Sequence, residues 1–199
     1  MKINYTIIYF LIISLSILLF NDLFCQDLHM RAFEGIPIAI EYSSFVKQRY
    51  DAVLCHIFMG SGITVKDGAR QMTYTLPTSW NYVFRDKNDY IIATCKKLSA
   101  DRVPFIYPSD ITYKSKNDEI HELRNLKVNS DRAIDLSVLN FGKYVAGFSY
   151  MSLEMETVDG ELRPLWTILA DTLKIAITAD DGKIAYPINK NSGFWKTIK

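Results

Sequence analysis

A mainly β fold is the prediction for residues 26–199: a β-sandwich followed by a second β-rich unit with one helix. Three observations carry it. Several short segments alternate apolar and polar residues with period two, the mark of a half-buried strand. Turn-forming residues recur about every ten positions, as they do in sandwiches. One run, "DAVLCHIFMG", is apolar on both faces and suits an interior strand.

The chain opens on a different grammar. Lys2 and the free amine are followed by "YTIIYFLIISLSILLF" (Tyr5–Phe20), which carries no charge, and then by the polar break Asn21-Asp22. That order is a secretory signal peptide over residues 1–25, cut between Cys25 and Gln26. A retained signal anchor is a second reading, although a spanning helix needs about 20 apolar residues and this run falls short. A lipid-modified Cys25 is a third, which bulky Leu23 and Phe24 fit badly. The expectation is an exported protein, periplasmic or envelope-associated, with no membrane span once the signal is removed.

The strands follow in order. "IPIAIEY" alternates Ile36, Ile38, Ile40 and Tyr42 against Pro37, Ala39 and Glu41. Because proline cannot donate to a ladder, this reads as an edge strand. After "DAVLCHIFMG" come turns at Gly60–Gly62 and Asp67-Gly68. "QMTYTL" is a strand stopped by Pro77. "YVFRDKNDYIIATCKKL" is a hairpin with Asp86–Asp89 as its polar loop. Pro104 and Pro108 in "RVPFIYPSD" mark a connector, dividing the chain into residues 26–103 and 104–199. The charged stretch "KSKNDEIHELRNLKVNSDR" reads as solvated loop.

The second unit begins with "AIDLSVLNF" and continues through "NFGKYVAGFSYMSLEMETVDG", a long strand that closes in an Asp159-Gly160 turn. "LWTILADTLKIAITADDG" is ambiguous. Leu165, Ile168, Leu169, Leu173 and Ala176 fit helical spacing and Gly182 is placed to end a helix, whereas Leu173, Ile175 and Ile177 fit a strand. The helix, across about residues 167–179, is the reading adopted. "KIAYPI" is a final strand and "GFWKTIK" a tail.

Site chemistry is sparse. The net charge is +1, and the signal takes one charge of each sign, so no basic excess points to nucleic acid. Cys55 and Cys95 lie in a compartment that permits disulfides, and a bond or two free buried thiols both remain open. Neither has a neighbouring base to activate it. His29, His56 and His121 lack zinc-like spacing, and His56 in its apolar strand reads as a core histidine. Glu154 and Glu156 share a strand face and read as a wet outer surface, not a glycosidase pair. Asp180-Asp181-Gly182 is a helix-ending turn, without the further ligands of a calcium loop. No catalytic, metal-binding or cofactor-binding motif emerges. The aromatic content, three tryptophans and twelve tyrosines, leaves one alternative: exposed Trp80 and Trp195 as a platform for a glycan.

The second unit resembles a known family. "AIDLSVLNFGKYVAGFSYMSLEMETVDGEL" and "LADTLKIAITADDGKIAYPI" are similar to the C-terminal periplasmic domain of the M subunit of the Bacteroidetes gliding-motility and type IX secretion motor. Leu139-Asn140-Phe141, Asp159-Gly160, Leu169–Ala179 and Gly182–Tyr186 occupy the places of that family's Asn-Phe lead-in, polar turn, helix and aromatic-rich strand. "FEGIPIAIEY", "YTLP" and "RVPFIYP" resemble parts of its preceding domain, which implies an immunoglobulin-like sandwich for the first unit. The family's Asn-Pro after the first glycine, its membrane helix and its long helical region are absent. The resemblance thus implies a stand-alone relative of the periplasmic arm, not the motor subunit. The expected function is a non-catalytic envelope protein that binds another envelope protein or a second copy of itself. Its contact is expected at the edge formed by Ile36, Ile38, Ala39 and Ile40.

Overall fold

The computed structural model describes residues 29–67, 72–87, 89–97, 102–107, 111, 113, 121–141, 148–170, 173–187 and 194–198. The expected signal peptide, Cys25 and Pro108 lie outside them. The described residues form strands β1 (Val53–Asp67), β2 (Met72–Asp86), β3 (Asp89–Lys96), β4 (Phe105–Tyr107), β5 (Phe148–Val158), β6 (Glu161–Ala170), β7 (Leu173–Thr178), β8 (Ile184–Pro187) and β9 (Phe194–Thr197). Two helices accompany them, α1 (Ile36–Glu41) and α2 (Ser130–Phe141). The fold is mainly β.

All these strands share one sheet, in the order β4-β3-β2-β1-β5-β6-β7-β8-β9. Sequential neighbours are antiparallel, and the hairpins fall at Asp86–Asp89 and at Asp159-Gly160. Asp159 (φ 53°) and Gly160 (φ 86°) both take the left-handed conformation that a tight hairpin turn requires. β9 then returns to pair in parallel with β5, through Thr157↔Phe194 and Val158↔Trp195. Strands β5 to β9 therefore close into a ring. The edge of β5 that faces away from β6 is divided: residues 152–154 bond to β1 and residues 157–158 to β9. The sheet thus crosses the connector at which two separate units were expected to divide.

Two apolar clusters lie on opposite faces. The smaller takes one residue from each ring strand: Val158, Leu165, Ala176, Ala185 and Trp195. The larger gathers Ile57, Trp80, Tyr82, Leu153, Trp166 and Ile177, among others, beneath the N-terminal segment and α2. It draws on residues from both sides of the connector.

Several elements differ from the sequence reading, among them residues 130–141, read as the end of a loop and the start of a long strand but forming α2. Residues 36–40 are helical, within a continuous 3-10, α and π run over residues 32–46. Pro37 sits in the first turn, where its missing N–H is harmless. Ala32, Gly35, Ala39 and Ser43 are all buried, a stripe of small residues at helical spacing that lets this segment lie close on the sheet. A Cβ on Gly35 would collide with the Tyr82 hydroxyl. A further correction concerns the expected helix over residues 167–179: residues 167–170 and 173–178 belong to the paired strands β6 and β7. Trp166, Ile168 and Ile177 face the larger cluster while Leu165 and Ala176 face the smaller. Burial on both faces produces a continuous apolar run, in which the period-two signal is lost.

Candidate interaction surface

β1 and β2 pair with each other from Val53↔Arg85 out to Asp67↔Met72. Their other neighbours stop much earlier. β3 follows β2 only as far as Ser79, and β5 follows β1 only as far as Phe58. Residues 59–67 and 72–78 therefore make a two-stranded ribbon that runs on beyond the other described strands. At about 3.3 Å per residue its length is about 30 Å. The turn expected at Gly60–Gly62 and the stop expected at Pro77 both lie inside strands.

The root of the ribbon is built from small polar residues. Register shifts fall between Met59 and Ser61 and between Ser61 and Gly62. They leave Gly60 as an extra residue on β1 and Thr78 as an extra residue on β2. A Cβ on Gly60 would meet Ser79 Oγ and Asn81 Nδ2, and one on Gly62 would meet Thr75 Cγ2 and the Leu76 carbonyl. Ser61 Oγ hydrogen-bonds Thr78 Oγ1 (3.0 Å) and Ser79 Oγ (2.8 Å). Thr94 Oγ1 donates to Asn81 Oδ1 at 2.6 Å.

The two ribbon edges differ. On β2, the Met30 N–H donates to the Pro77 carbonyl (2.9 Å), the Trp80 indole donates to the Met30 carbonyl (2.6 Å), and Pro77 has no N–H to offer. On β1, no described strand pairs beyond Phe58 and no proline interrupts the edge. Aromatic rings cluster where the ribbon leaves the sheet. Phe58 stacks on Tyr150 (6.4 Å between centroids), His56 packs on Phe58 and Tyr113, and Tyr113 on Tyr90 (5.0 Å). His56 Nδ1 lies 2.9 Å from the Tyr113 hydroxyl, and Glu154 is its cross-strand partner on β5. Burial pushes the Tyr113 and Tyr150 hydroxyls above their usual range, with the Glu154 carboxylate adding to it. These phenols stay protonated and act as packing and hydrogen-bonding groups.

The residues singled out from the sequence lie elsewhere. Of the expected edge, Ala39 is buried, Ile36 and Ile38 pack against the larger cluster, and Ile40 is half exposed in α1. None belongs to a strand. Trp80 and Trp195 are 0% and 2% exposed, so neither offers a ring to a sugar. Each fills an apolar cluster instead. Cys55 and Cys95 are free and buried. Cys55 sits at a bulge and donates to the Val83 carbonyl, while Cys95 donates to the Gly35 carbonyl beneath the N-terminal segment. Burial pushes both thiols up to about 12. Asp180 and Asp181 form a turn after β7, held by Arg163 of β6. Among the described residues no cluster of three or more His, Cys, Asp or Glu is arranged to hold a metal. None of their helices is long and apolar enough to cross a membrane.

No family model, curated protein or solved structure matches this chain. Against the resemblance noted above, Leu139-Asn140-Phe141 ends α2, and the strands β6 and β7 occupy most of Leu169–Ala179, where a helix is implied.

Proposed function

We propose that this chain is an exported, non-catalytic protein of the cell envelope. It binds another protein chain by strand addition along the β1–β2 ribbon. The supporting observation is the ribbon's length beyond its neighbours, with the β1 edge from Met59 to Asp67 left without a strand partner among the described residues. Such an edge presents a row of N–H and C=O groups to an incoming strand. Elsewhere the fold suppresses edges: ring closure removes them at one end, and β4 at the other is three residues long. Two thiols held up to about 12 are poor nucleophiles at neutral pH, in keeping with a binding role. Export rests on the leader sequence, and the link to gliding motility or type IX secretion on the resemblance alone.

Shortening the ribbon tests the reading. Replacing residues 62–78 by Asn-Gly joins the paired Ser61 and Ser79 directly. The shortened protein keeps its far-ultraviolet spectrum and loses capture of envelope proteins after in-cell cross-linking. Undiminished capture would rule the ribbon out as the contact.

A further inference from the structure

We infer that the space between β2 and the first turn of α2 is a peptide-recognition site, which the chain's own N-terminal segment fills in cis. Its ligand class is an extended peptide that presents an apolar, an exposed, a small and an aromatic residue in succession, as Met30-Arg31-Ala32-Phe33 does. This site is separate from the ribbon and does not depend on it. The way residues 30–33 are held carries the inference. The Met30 N–H donates to the Pro77 carbonyl (2.9 Å), and the Met30 carbonyl accepts from the Trp80 indole (2.6 Å). The Ala32 carbonyl accepts from the Tyr82 hydroxyl (2.6 Å), and the Ala32 N–H donates to Ser130 Oγ (3.0 Å). The Phe33 N–H donates to Asn129 Oδ1 (3.2 Å).

The side chains that bind this main chain lie 50 to 98 positions away in sequence. A helix start commonly takes its cap from its own segment, yet Arg31, which precedes the helical run, makes no side-chain cap. Ser130 and Asn129 supply the acceptors from outside. Pockets then set the residue types. Met30 and Ala32 are 0% exposed, Phe33 stacks on Trp166 at 6.2 Å, and the exposed Arg31 reaches Asp131. Main-chain bonds for affinity and side-chain pockets for preference are how extended peptides are bound. Because it is tethered, the N-terminal segment competes at an effective concentration of about millimolar. A partner's peptide therefore enters only by displacing it.

An amidated peptide of residues His29–Phe33 is the probe, and protein purified from cells expressing the whole chain is the receptor. Ala32→Arg puts a guanidinium at a fully buried position. It unseats the cis segment and leaves the β2 and α2 side of the site unchanged. This variant should bind the peptide about tenfold or more tightly than the parent protein, whose site is already filled. On binding, its Trp80 indole proton resonance should return toward the position it has in the parent. Its melting temperature should rise with peptide concentration. A peptide N-methylated at Ala32 lacks the donor to Ser130 and should not bind, although its apolar side chains are the same. The inference is overturned if the peptide neither binds the Ala32→Arg chain nor raises its melt, whether or not that variant alone holds its fold. Equal affinity for the N-methylated peptide would show that the main chain is not recognised. Equal affinity of the parent protein would show that the N-terminal segment does not occupy the site. Either result also overturns it.

Discussion

Asp131 binds the N-terminal segment to the first turn of α2. Its carboxylate accepts from Arg31 Nε at 2.7 Å and lies 3.2 Å from His29 Nε2. Beside it Asn129 Oδ1 accepts from the Phe33 N–H, and Ser130 Oγ from the Ala32 N–H. Burial pushes the Asp131 carboxyl up, but His29, Arg31 and the Ser130 hydroxyl outweigh burial and hold it below its ordinary value. A carboxyl depressed in the folded state contributes stability that is present above its unfolded value and is lost as pH falls through the folded one. Asp131→Asn should therefore be less stable than the parent by about 1 kcal/mol near pH 7, the modest size reflecting a partly exposed pair. By about pH 2 the difference should close. Denaturant melts at the two pH values measure it, and a gap of constant size would show that the charge contributes nothing. At this scale the sequence revealed which residue types were present, not which way they faced. The strand stop expected at Pro77 leaves Trp80 exposed, yet β2 runs through that stretch and Trp80 reaches the Met30 carbonyl under the N-terminal segment.

β9 closes the ring with few groups. Trp195 fills the space between Val158, Leu165, Ala176 and Ala185, and Asp159 accepts from the Thr197 N–H and hydroxyl. Trp195→Ala should cost about 3–5 kcal/mol, as for other large buried aromatics. The loss should be local first: amide exchange in β8 and β9 should rise well before that of β1 to β3. Equal acceleration throughout would mean that the ring does not open separately. Elements with local turn chemistry were legible, as the Asp86–Asp89 and Asp159-Gly160 hairpins show. Residues 36–46 were not, because alternating isoleucines imitate a strand while Ala32, Gly35, Ala39 and Ser43 set the helical face. The ribbon was missed for the opposite reason. Glycines and Pro77 signal an end locally, but two bulges carry the β1–β2 ladder past them.

Across the whole molecule, the connector near Pro104 does not separate two interiors. β1 bonds to β5, Leu123 donates to the Leu54 carbonyl, and Trp80 packs edge-on against Trp166 at 5.8 Å. Fragments 26–103 and 104–199 should each lack dispersed amide spectra alone, and mixing them should restore dispersion. Dispersed spectra from both fragments separately would show two independent folding units. The mainly β class was readable from short alternating segments, whereas the single sheet was not. Pairing between β1 and β5 leaves no local mark, since each strand reads alike whether its partner is near in sequence or a hundred residues away.

The contact between Ala32 and Ser130 spans 98 positions, which gives the molecule a timetable as well as a shape. A chain delivered from its N-terminus presents residues 29–35 long before residues 129–131 exist to receive them. Native pairings that join distant positions form slowly, because the intervening loop must first close. During that interval Trp80 and Tyr82 lack their final packing, and a long ribbon edge stands open beside them. Until those contacts form, such a chain is open to unwanted association. Its safe assembly therefore depends on how quickly residues 129–131 reach the N-terminal segment.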